Sequence, residues 1–98
     1  MTTVEIQAIA DRVLSARLTP LGLDRVEVTL DRDAADTPTL IVEAMMKPGV
    51  SSVGGKVVSA AHGELSQSLL SAGEERFPYL RVRYPDAEAA VEHEPENG

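Results

Sequence analysis

At 98 residues the chain has room for one domain and no second core, and the absence of cysteine excludes disulfides and thiolate metal sites. The net charge is −7, but five of the sixteen acids (Asp86, Glu88, Glu92, Glu94, Glu96) follow Pro85, where there is no Lys or Arg, so residues 1–85 hold eleven acids against nine bases and stand near −2. Glu5 and Asp11 interrupt the first segment and no long apolar run follows, so neither a signal peptide nor a membrane span is expected and a cytoplasmic location is the default.

The first helix is predicted from Thr3 to Arg17 or Leu18. Thr2 and Glu5 have capping-box spacing, and Ile6, Ile9, Ala10, Val13 and Leu14 form one apolar stripe. Pro20 is expected to forbid the helical region for Thr19, and Gly22 completes the stop. From Asp24 to Asp31 the period changes to two, with Val26, Val28 and Leu30 on one face and Arg25, Glu27 and Thr29 on the other. Residues 32–38 (RDAADTP) are turn chemistry, with Asp side chains placed to bond their own backbone.

A second strand over Thr39–Met46 sets Leu40, Val42, Ala44 and Met46 against Ile41, Glu43 and Met45. Residues 48–55 (PGVSSVGG) form a loop, with Ser51 or Ser52 available to cap the helix that follows over Lys56–Ala72. Val57, Ala61, Leu65, Leu69 and Ala72 are its expected buried stripe and Gly73 its C-cap. Gly63 inside it predicts a kink or a close backbone approach. The last strand, Phe77–Tyr84, turns Leu80, Val82 and Tyr84 inward and Tyr79, Arg81 and Arg83 outward, and its flanking prolines suit an edge. Residues 86–98, acidic and poor in large apolar groups, are expected to be a disordered tail.

These elements predict an α+β domain over residues 1–85, an α-β-β-α-β two-layer sandwich. A three-stranded mixed sheet would carry both helices on one face, the third strand parallel to the second. The other face is then open and carries Arg25, Glu27, Thr29, Ile41, Glu43, Met45, Tyr79, Arg81 and Arg83. Ile41, Met45, Tyr79, Arg81 and Arg83 are candidates for an interface centre ringed by charge. The plainer expectation is a solvated face with cross-strand pairs such as Glu43 with Arg81.

Reactive chemistry finds little support. The Gly54–Gly55–Lys56 run resembles a phosphate loop, but Val50 stands where the first glycine belongs and Val57 where the magnesium-binding hydroxyl belongs. What survives is a glycine-rich helix start with Gly54, Gly55 and Lys56 as candidate anion or RNA contacts. His62 and His93 are the two imidazoles, without HxxxH or HExxH spacing, so no metal site, cofactor or catalytic residue is assigned. Ser59, Ser66, Ser68 and Ser71 read as the polar face of the second helix.

The segments Ser59–Ala60–Ala61–His62–Gly63 and 77–86 (FPYLRVRYPD) are similar to the second half of the ribosome-binding factor A family. That resemblance implies a type II KH-like fold, a kink at Ala61–His62–Gly63 and RNA or ribosome contact. The family's basic character is missing here, and the first half agrees in element order only. The same order also resembles the cytoplasmic domain of cation-efflux transporters, whose metal-binding histidines have no counterpart here. The expectation is therefore a non-enzymatic module that binds a protein partner, or itself as a homodimer, through the open face, a sheet edge or the acidic tail. RNA or ribosome binding through the Gly49–Lys56 loop, the second helix and Arg81/Arg83 is the alternative, opposed by net charge and by a total of three aromatic residues. A small enzyme built on His62 ranks last, since no second group can be placed beside it from sequence.

Overall fold

The computed structural model describes residues 1–85, and the acidic segment 86–98 lies outside the described residues. Helix α1 (Thr3–Leu18) begins at the expected capping box: the Glu5 N–H donates to Thr2 Oγ1 at 3.1 Å, and the Thr2 N–H donates to Glu5 Oε1 at 2.8 Å. Its buried residues are Ile6, Ala10, Val13, Leu14 and Leu18, a stripe at helical spacing.

Pro20 does not expel Thr19 from the helical region. Thr19 has φ −57° and ψ −43°, its N–H still donates to the Ser15 carbonyl, and Thr19–Leu21 continue as one 3-10 turn. The clash with a following proline biases the backbone, and here the last helical hydrogen bond outweighs that bias. The stop falls at Gly22, whose φ of +107° is a conformation that glycine reaches without Cβ strain.

Strands β1 (Leu23–Arg32) and β2 (Pro38–Met46) pair antiparallel, Val28 opposite Val42 and Leu30 opposite Leu40. A bulge between Leu23 and Arg25 lets Leu23 face the core three residues before Val26 does, which simple alternation from Asp24 does not anticipate. At the connecting turn Asp33 Oδ1 accepts the N–H groups of Ala35 and Thr37, each at 2.9 Å, as the turn chemistry predicts. Strand β3 (Pro78–Arg83) lies parallel beside β2, so the order is β1-β2-β3 with β2 central.

Helix α2 (Gly55–Ser71) makes the crossover. Gly54 stands at its N-cap without a side-chain cap. Ser52 Oγ instead accepts the Gly54 N–H at 3.2 Å, so neither Ser51 nor Ser52 caps the helix. At the far end the Glu74 N–H reaches the Leu69 carbonyl and the Gly73 N–H the Leu70 carbonyl, a Schellman closure with Gly73 at φ +104°. That closure turns the chain away before Ala72 can enter the core, so Ala72 is exposed where a buried position was expected.

The helix runs through Gly63 without interruption, and a Cβ there would meet no atom within 4 Å. The expected close approach is therefore absent. Leu30 is also exposed, at 42%, although its cross-strand partner Leu40 is fully buried.

Both helices cover the same face of the sheet, α1 over β1 and α2 beside β3. The core between the layers joins Ile6, Leu14 and Leu18 to Leu65 and Leu69 of α2 and to Leu40, Val42, Ala44 and Met46 of the central strand. Val28, Leu80 and Val82 close it from the flanking strands, with Tyr84 just past the end of β3, all as half-buried groups. The predicted α+β sandwich, with its mixed sheet, is the observed fold. No helix among the described residues is long and apolar enough to cross a membrane.

Candidate interaction surface

The registers of the two strand pairs arrange the open face into rows. Arg25, Met45 and Arg83 make one row, Glu27, Glu43 and Arg81 the next, and Thr29, Ile41 and Tyr79 the third. Glu43 is the hub. Its Oε2 accepts from Arg83 Nη1 at 2.6 Å and from Arg81 Nη1 at 3.2 Å, and its side chain is only 16% exposed. On β1 the Arg25 Nε donates to Glu27 Oε2 at 2.8 Å.

The expected Glu43–Arg81 pair is therefore present, and Arg83 shares the same carboxylate. Ile41 and Met45 sit half-buried between these ion pairs on the central strand, so apolar surface at the middle of the face is sparse. Each such pair on a wet sheet surface contributes about 0.2–1 kcal/mol. Both arginines already lean on Glu43, which reduces what they offer to a phosphate backbone.

The larger exposed apolar surface lies at the outer edge. Phe77 and Tyr79 are 58% and 56% exposed, and their rings meet edge to face at 5.6 Å between centroids. His62 of α2 meets the other side of Phe77 at 5.2 Å, also edge to face. The His62 Nε2–H donates to the Pro78 carbonyl at 2.8 Å, which makes Nε2 the protonated nitrogen because a carbonyl can only accept. A groove of about 250 Å³ beside β3 is lined by Val58, Ser59, His62, Phe77, Tyr79 and Leu80. A neighbouring groove joins Phe77 to Leu70, which is 63% exposed on α2. Two of the chain's three aromatic residues thus stand in water along one strand edge.

The two sheet edges are not equivalent. On β1 the Gln7 amide donates to the Val26 carbonyl at 2.8 Å, and Asp24, Arg25, Glu27, Asp31 and Arg32 surround it with charge. On β3 His62 plays the matching part at Pro78 only. Among the described residues no strand pairs with the outer side of β3.

Gly54, Gly55 and Lys56 are exposed together at the start of α2. The loop before them is pinned by the Val53 N–H, which donates to the Tyr84 hydroxyl at 3.2 Å. The Gln7 and His62 contacts escaped the sequence reading, and so did a third: Glu74, only 5% exposed, takes two side-chain bonds from Arg76, Nε at 2.7 Å and Nη2 at 3.0 Å, and the Arg76 N–H at 2.9 Å. The Arg76 bonds hold the Glu74 carboxyl near 2, below its ordinary 4.5, against the opposing effect of burial. The spacing of two residues after a helix C-cap gives no periodic signal that could have identified it. Among the described residues no group of three or more His, Asp or Glu is placed to hold a metal ion. Comparison with protein-family models, curated proteins and solved structures finds no match.

Proposed function

We infer that this protein is a non-enzymatic interaction module whose working surface is the outer edge of β3 with the adjoining open face. One observation carries this reading: Phe77, Tyr79 and Leu70 are each more than half exposed and line joined grooves along a strand edge that no other described strand covers. Aromatic side chains are enriched at interface centres, because they bury large areas at low entropic cost, and an unpaired edge supplies backbone donors and acceptors for an added strand. The Glu43 ion pairs then form the polar border of that surface.

The test is affinity capture from the native host with the tagged full chain, alongside a Phe77→Ala/Tyr79→Ala variant checked for an unchanged melting curve. The expected result is a partner, either another protein or untagged copies of this chain, recovered by the wild type and lost with the variant. Equal recovery by both would remove the β3 edge as the binding surface.

A further inference from the structure

We propose that the occupant of the β3 edge is a second copy of the same strand, paired antiparallel about a two-fold axis at Leu80. This rests on the reading of the edge as the working surface and names its partner. On the open face β3 carries ring, cation, cation at alternate positions, Tyr79, Arg81 and Arg83, with Leu80 between the ring and the first cation. Reversing the strand reverses that order. Antiparallel pairing centred on Leu80 therefore sets Tyr79 opposite Arg81 of the second copy, and by symmetry Arg81 opposite Tyr79 of the second copy.

Residues directly opposite across an antiparallel pair have Cβ atoms about 4.5–5.5 Å apart, which brings a guanidinium over a ring face. A pairing shifted by one residue toward the C-terminus would set Arg81 against Arg81, and a parallel pairing would set like against like. The chemistry of the strand thus favours the antiparallel pairing centred on Leu80 over both of these.

The same two arginines argue against other occupants. Adjacent cations on an edge deter a generic strand, and the complement they call for is a strand with rings or carboxylates at matching positions, which β3 itself supplies. Arg81 and Arg83 also share Glu43 beneath them, so bringing four guanidiniums together from two copies is partly offset by two carboxylates. On the helix side, half-buried Leu80 would meet Leu80 of the second copy, beside the groove lined by Val58 and His62.

Pairing ends at Pro78, which has no N–H and whose carbonyl already accepts from His62. The contact is therefore short, and the dimer is weak and concentration-dependent. The β1 edge is engaged in part, since the Gln7 amide already donates to the Val26 carbonyl, and its outward side chains lack a ring.

Light scattering and sedimentation equilibrium on the full chain, from about 10 µM to about 1 mM, test the proposal in the affinity range of small interfaces. The expected mass rises from one 10.5 kDa chain toward two. Tyr79→Arg, which sets cation against cation, is expected to weaken association about tenfold or more, while Tyr79→Phe, which keeps the ring, leaves it within about twofold. Tyr79 is exposed, so unchanged melting curves will show that both variants fold. A single-chain mass throughout, or a dimer indifferent to Tyr79→Arg, overturns self-pairing. If a different protein is still captured through Phe77 and Tyr79, self-pairing alone is overturned; if that capture also fails, so does the reading beneath it.

Discussion

Replacing Gly22 by alanine is expected to destabilise the protein by about 3 kcal/mol. Two costs combine there. Gly22 has φ +107°, where an L side chain costs about 1 kcal/mol or more. A Cβ on it would also run into the Val50 side chain, and overpacking of this kind costs about 1–3 kcal/mol. The position cannot simply relax, because the Gly22 carbonyl accepts the Lys47 N–H at 2.8 Å and its N–H donates to the Thr19 carbonyl at 3.1 Å. It is the point where the helical turn, the start of β1 and the end of β2 are tied together. Urea midpoints measure the loss. Val50→Ala in the same chain separates the two costs, since it should return the steric share and leave about 1 kcal/mol of backbone strain. Midpoints that match wild type for Gly22→Ala alone would show that neither cost operates.

Glu74→Gln is expected to cost about 2 kcal/mol at neutral pH, and the cost should fade in acid. Glu74 is nearly buried and holds Arg76 through both carboxylate oxygens, in the first residues after α2 turns back toward β3. Removing one partner of a buried pair commonly costs about 3–5 kcal/mol. Arg76 keeps a side-chain exposure of 28% and can turn toward water, which lowers the figure. The sign with pH follows from the depressed carboxyl value. The folded protein holds Glu74 near 2, against about 4.5 when unfolded, so this stabilisation is whole above about pH 5 and is lost as pH falls toward 2. Urea midpoints for wild type and Glu74→Gln should converge over that window. A gap independent of pH would mean that the carboxylate's charge is not what stabilises this corner.

What could be read from sequence, and what could not, divides along the same physical line. Periodicity placed both helices and all three strands, because burial of Ile6, Leu14, Leu65 and Val42 at regular spacing drives the fold. It also assigned Tyr79, Arg81 and Arg83 to the outward face and paired Glu43 with Arg81. It failed where one local bond decides the outcome, as at Thr19, at the uncapped Gly54 and at Ala72 beyond the Schellman turn. It also missed the contacts made by isolated polar groups: Gln7 to Val26, His62 to Pro78 and Glu74 to Arg76. The candidate surface moved for a related reason. Ile41 and Met45 share a face with Tyr79, but the central strand tucks them between ion pairs, whereas Phe77 and Tyr79 at the edge keep their rings in water.

Backbone amide shifts followed by NMR, as the chain is concentrated or its captured partner is added, address the working surface most directly. Residues 77–83 and the α2 segment 58–62 should move together, while the outer side of α1 around Val4 and Ala8 stays still. Movement confined to α1 or to the β1 edge, with β3 unaffected, would contradict the assignment of function to the β3 edge.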